Sequence, residues 1–217
     1  MEAMSLEVKR KEPSFFKSLA SLVSSDLIGR KALLNQGNET RSSQLSQTER
    51  SLGSLTRDEE NGWILEDSTR IVSFRVKTFQ AFVDKLVSMA GRRVAEILLY
   101  NMGNEMGRTI CHYSKDDIKS ENDLGEVLDR VARLRGWGRC LVFEKRKESS
   151  RTLYLVKFRG TPLSYERTSM EPTCHVVRGG IVGYLEAYLS KKAAASSEIE
   201  CASLGHEFCV FEVTFAD

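Results

Sequence analysis

No stretch of this chain approaches the roughly 20 consecutive apolar residues of a membrane-spanning helix, so no transmembrane helix is expected. Charge of one sign is also missing. The 32 Lys and Arg residues stand against 30 Asp and Glu, and a net charge of +2 supplies no broadly basic face for nucleic acid. There is no glycine-rich dinucleotide loop, and no Ser/His/Asp or paired-carboxylate arrangement stands out as an active site. The start, Met1-Glu-Ala-Met-Ser-Leu-Glu7, lacks the charged-then-apolar layout of a secretory signal. Cysteine is scarce: five residues, an odd number, with no Cys-x-x-Cys pair. Together these point to a cytoplasmic, reducing setting, where grouped cysteines are ligands or free thiols more often than disulfides.

What remains is an ordinary globular balance, 41% hydrophobic and 29% charged, over 217 residues. That length allows one sizeable domain plus an appendage, or two small domains. Phe15, Leu19, Leu22, Val23 and Leu27 recur at helical spacing among basic residues, which predicts an amphipathic helix over Ser14–Ile28. From Asn35 to about Asn61 the chain is polar, poor in large apolar residues, and reads as a flexible linker. A boundary near Gly62 follows, dividing the chain into 1–61 and 62–217.

In the second part Thr69–Val76 alternates like a strand. Phe79, Phe82, Val83, Leu86 and Val87 then give a helix that Gly91 ends. A longer helix spans about Arg92–His112, and its Gly103 and Gly107 imply close backbone packing, inside the fold or across a dimer. A third helix covers Asn122–Leu134, and a hairpin joins Arg139–Lys145 to Thr152–Phe158. Pro172 opens a helix running to about Ser190, and Ser197–Ser203 with Phe208–Phe215 form a last hairpin. The order predicts an α+β fold, an antiparallel sheet with helices gathered on one face.

Cys201 and Cys209 lie in the two arms of that last hairpin. A three-residue turn at Leu204–His206 would set them opposite each other, about 4.5–5.5 Å apart at Cβ, which suits two ligands of one zinc ion or a disulfide. Cys174 at the head of the preceding helix is a further thiolate candidate, because a helix N-terminus lowers a thiol pKa. Glu198 stands three residues before Cys201, so in a straight strand it faces the other way; it joins the cluster only if the strand bends or begins there. Buried thiols without a ligand are the other reading of the set. Met102, Met106, Phe143, Tyr154, Phe158, Tyr184 and Tyr188 are candidates for an apolar pocket, and equally for ordinary core.

Certain residues carry a family resemblance: Gly136-Trp137-Gly138; Cys174 followed by Gly179-Gly180 and Gly183-Tyr-Leu-Glu186; and Glu198-x-x-Cys201-x-x-x-Gly205-x-x-x-Cys209-x-Phe211-x-Val213. Ala95–Gly103 and Gly107 add a weaker match upstream. From about Thr69 to Asp217 the chain resembles the vinyl-4-reductase-type small-molecule-binding domain. That family is related to the aromatic-sensing input domains of phenol-responsive activators and, more distantly, to TRAPP transport subunits and haem-based nitric-oxide sensors. The resemblance implies a zinc held by Cys174, Glu198, Cys201 and Cys209, an apolar pocket between helices and sheet, and a homodimer formed through the N-terminal helices. The His and Trp that hold a phenol hydroxyl in those sensors are not matched by His112, His175, His206, Trp63 or Trp137. His206 reads as a solvent-facing turn residue, His112 as a helix-end residue, and Trp137 as a packing residue.

The function expected on this footing is non-enzymatic binding or sensing of a hydrophobic small molecule, hydrocarbon or aromatic, beside a structural zinc. The alternative is an accessory or scaffolding protein that docks a protein partner or membrane surface through residues 14–28. Direct DNA binding is not expected, because nothing before the domain reads as a helix-turn-helix.

Overall fold

The computed structural model describes residues 55–66 and 69–217, in two compact units divided between Ile71 and Val72. The amphipathic helix expected over Ser14–Ile28 lies outside the described residues, as does most of the expected linker.

The first unit holds a small antiparallel sheet, β1 (Leu55–Asp58), β2 (Trp63–Glu66) and β3 (Thr69–Ile71), in that order. The last residues assigned to the linker are thus hairpin. Asp58 makes the turn: its carboxylate accepts from the Asn61 backbone and side-chain amides at 3.0 and 2.8 Å. The strand expected over Thr69–Val76 is also shorter, ending at Ile71. Its alternation misled because Val72 and Phe74 are each 70% exposed, while Val76 already opens a helix.

The second unit contains α1 (Val76–Ala90), α2 (Arg92–Tyr113), α3 (Leu124–Leu134), the hairpin β4 (Arg139–Lys147) and β5 (Arg151–Arg159), α4 (His175–Leu189), β6 (Ala195–Glu200) and β7 (Cys209–Ala216). The sheet is antiparallel with strand order β4-β5-β7-β6. Tyr154, Val156 and Phe158 of β5 and Cys209, Phe211, Val213 and Phe215 of β7 alternate onto one face. Buried residues of α3 and α4 join them in a single core. The α+β architecture matches the sequence pattern.

Helix α4 is buried nearly all round, as its apolar run requires. It meets α2 at van der Waals backbone distance. A Cβ at Gly103 would stand 2.0 Å from the Val176 carbonyl oxygen, and one at Gly107 1.9 Å from that of Gly180. The glycines of α2 therefore serve packing inside the fold. Gln80 of α1, buried, donates to the carbonyls of Pro162 and Tyr165 at 2.8 Å each, which pins the loop between β5 and α4.

Candidate metal centre and adjoining cavity

Cys174 is the N-cap of α4, Glu198 lies in β6, Cys201 follows β6 directly and Cys209 opens β7. One ligating atom from each lies within 4.8 Å of all the others. The three cysteines are at most 1% exposed. Cys174 Sγ is 4.0 Å from Cys201 Sγ and 3.6 Å from Cys209 Sγ. All five cysteines are unpaired, so the disulfide alternative is absent.

The strand geometry that brings Glu198 in is a β-bulge. Glu198 pairs with Phe211, yet Glu200 pairs with Val210, so two steps along β6 match one step along β7. The extra residue, Ile199, returns Cys201 to the face that Glu198 already occupies. The expected three-residue turn is longer: a 3-10 turn over Ala202–Leu204 and Gly205, at φ +97°, separate Cys201 from Cys209.

The four groups suit a tetrahedral cation. Zinc–sulfur bonds of about 2.3 Å place tetrahedral sulfurs about 3.8 Å apart, and the two sulfur separations above straddle that value. Glu198 Oε2 accepts from the Cys174 backbone N–H at 3.0 Å, whereas Oε1 is buried with no partner. An orphaned buried carboxylate oxygen beside three sulfurs is what a cation would satisfy. Without one, the charges conflict. Thiol contacts from Cys201 and Cys209, with burial, raise Cys174 well above an ordinary thiol. Cys201, which those contacts favour as thiolate, is lowered. Burial, and then Cys201, push Glu198 up to about 8. Four protein donors would complete a tetrahedron and leave no open position, so the arrangement can clamp but not activate water.

Four hydroxyls surround the cluster, and no sequence motif announces them. Thr161 Oγ1 lies 3.1 Å from Cys174 Sγ and 3.5 Å from Cys209 Sγ. Ser203 Oγ lies 3.1 Å from Cys201 Sγ. Ser164 stands 2.6 Å from Thr161, and Thr173 donates to Ser203 at 3.1 Å. Ser203 and Thr173 sit within two residues of a ligand in sequence; Thr161 reaches its neighbours only through the fold.

The first turns of α4 also wall an apolar cavity of about 50 Å³. Val176, Val177, Gly180 and Ile181 line it with Met106 and Ile110 of α2, Leu128, Val131 and Ala132 of α3, Trp137, and Phe158 of β5. Of the seven pocket candidates, Met106 and Phe158 line this space. Met102 is 37% exposed on α2. The Tyr184 hydroxyl donates to the Leu124 carbonyl at 3.1 Å, and the Tyr154 hydroxyl to Glu121. Phe143 packs on Tyr154 at 5.8 Å, while Tyr188 is partly buried at the core's edge. Trp137 does more than expected: it lines the cavity and meets Phe79 edge-on at 5.8 Å. His206 and His112 are exposed, and His175 lies beside Glu96 at 3.6 Å. Trp63 belongs to the first unit, under the Arg70 guanidinium.

Residues 157–215, which contain all four cluster residues, match the family model of the vinyl-4-reductase (4VR) domain. One similar solved structure is the phenol-responsive sensory domain of the transcription activator PoxR with phenol. It has a TM-score of 0.63 and 18% identity, covering 79% of this chain and 92% of that one, a likeness of fold. A vinyl-4-reductase family protein from Methanocaldococcus jannaschii gives a TM-score of 0.46 and 23% identity, over 68% of this chain and 85% of that one. No curated protein matches the chain.

Proposed function

We propose that this chain, whose residues 157–215 match the vinyl-4-reductase domain, binds or senses a small apolar molecule without catalysing a reaction on it. The observation that carries the reading is the apolar cavity built on the first turns of α4, next to the Cys174 cluster. The fold it shares with a phenol-responsive sensory domain supports the same reading. In this account the binding domain is the part from residue 62 onward.

The ligand is a compact hydrocarbon or aromatic, since the lining offers little beyond carbon. At about 50 Å³ the cavity is smaller than the roughly 150 Å³ apolar space that accepts benzene. Entry therefore requires the wall to yield. Met106, unbranched and flexible, and Trp137, between Gly136 at φ +72° and Gly138 at φ +107°, are the wall residues suited to move.

Zinc at Cys174, Glu198, Cys201 and Cys209 fits the sulfur spacing and the bare Glu198 oxygen. Bound there, it supplies a structural clamp between α4 and the β6–β7 loop. We also assign a homodimer to the apolar residues exposed on α1 and α2, namely Phe82, Met89, Val94, Ile97, Leu98 and Met102. The same surface favours protein docking as the second reading; among the described residues no helix is long and apolar enough to cross a membrane.

The test pairs native mass spectrometry with thermal shifts against phenol, toluene and short alkanes. One zinc per chain is expected, with a rise in Tm for at least one compound that Ala132→Leu abolishes by filling the cavity. Protein that melts unchanged with every compound rejects the binding role.

A further inference from the structure

Three thiolates and a carboxylate around a divalent cation leave two negative charges in excess, held among residues almost entirely withdrawn from solvent. Such charge is costly unless donors surround it. The hydrogen bonds that reach the four ligating groups come from hydroxyls and backbone amides, and they distribute evenly. The Cys174 N–H donates to Glu198 Oε2 at 3.0 Å, and the Ala202 N–H to Cys209 Sγ at 3.4 Å. Thr161 Oγ1 stands 3.1 Å from Cys174 Sγ, and Ser203 Oγ 3.1 Å from Cys201 Sγ.

A thiolate carries no proton, so each hydroxyl beside one must be the donor. Both hydroxyls are arranged to be. Ser203 Oγ already accepts from Thr173 at 3.1 Å, which leaves its own proton for Cys201. Thr161 Oγ1 has Ser164 Oγ at 2.6 Å as a proton source, which leaves its own for Cys174. Every ligand group then has one donor, and the single atom without one is Glu198 Oε1, which faces the cation. Both hydroxyl residues are buried, Thr161 at 0% exposure and Ser203 at 1%, so water does not stand in for them.

Resting on the metal-centre reading above, we propose that Thr161 and Ser203 are positioning residues of this centre. Their hydroxyls donate to the thiolates of Cys174 and Cys201, set the two sulfurs at tetrahedral spacing and offset the excess negative charge. Partners of this kind typically contribute 10- to 100-fold in metal affinity.

The test uses the full chain and zinc itself, with affinity read by competition against a chromophoric chelator. Wild type, Thr161→Val, Thr161→Ser and Ser203→Ala are compared, and urea midpoints of the metal-free proteins serve as the control for packing. Thr161→Val and Ser203→Ala should each bind zinc roughly 10- to 100-fold more weakly, and Thr161→Ser should lie within about threefold of wild type. The cobalt-loaded variants should show a shifted sulfur-to-metal charge-transfer band, which a purely structural role does not move. Zinc affinities of both variants within about twofold of wild type, or a Thr161→Ser protein no better than Thr161→Val, overturn the assignment. Should Thr161→Val fail to fold, Ser203→Ala alone decides. Wild-type protein that takes up no zinc overturns the metal centre itself, an outcome read before any variant is compared.

Discussion

Alanine substitutions at two glycines of one helix, three residues apart, are expected to act in opposite directions. A Cβ at Gly183 of α4 would lie 1.9 Å from the Asn104 carbonyl oxygen of α2, whereas one at Gly180 would lie 3.6 Å from that of Gly103. Ordinary contact begins near 3.4 Å, so Gly183→Ala requires the helices to separate by about 1.5 Å (3.4 minus 1.9). That separation disturbs the neighbouring contacts as well, since a Cβ at Gly103, Gly107 or Gly179 would also meet a carbonyl oxygen at about 2 Å. Overpacking of a core costs about 1–3 kcal/mol and sometimes more, while alanine returns about 1 kcal/mol of helix propensity. Gly183→Ala should therefore lose at least about 2 kcal/mol. Gly180→Ala should be neutral or gain up to about 1 kcal/mol, because its methyl enters ordinary contact beside the cavity. Urea midpoints at constant slope, measured at equal metal loading, give the difference directly. A Gly180→Ala protein as unstable as Gly183→Ala would refute the claim that backbone approach, rather than helix propensity, explains these glycines.

Three other outcomes are expected. Removing the metal with a chelator, or Cys201→Ser, should abolish zinc and cooperative melting together, since structural zinc contributes on the order of 10 kcal/mol; a wild-type melting curve for Cys201→Ser would contradict this. Zinc affinity should climb between about pH 6 and 8, because binding must release the proton that burial holds on Glu198 up to about 8. In the metal-free protein the sign reverses: the raised carboxyl favours the fold below its ordinary 4.5, and that contribution is lost as pH rises through about 8. Affinity titrations of wild type and Glu198→Gln check the slope, which should flatten in the variant. Leu98→Glu, at a position 48% exposed, should convert a dimer to a monomer in light scattering with little change in monomer stability; a wild-type monomer rejects the interface.

Much of the second unit was legible in the chain because its signals are local. A 3.6-residue period with breaking glycines marks α1 and α2, and alternation marks β5 and β7. The cysteine spacing and its neighbours picked out the four cluster residues. The same local patterns misplaced the strand after Thr69, because alternation does not reveal whether either face will be covered.

Three features were decided only by the fold. Glu198 shares a face with Cys201 because β6 carries an extra residue against β7, and a bulge depends on the partner strand rather than on the strand's own residues. Thr161 reaches Cys174 because Gln80, from a helix far upstream, holds its loop in place. The cavity exists where α2, α3, α4 and β5 fail to meet, so its lining joins residues from Met106 to Ile181 that no periodicity links. Sequence by itself therefore determined the elements and the ligand set. The bulge, the hydroxyl donors and the cavity arose only with tertiary structure, because each is a relation between segments that touch only after the chain has packed.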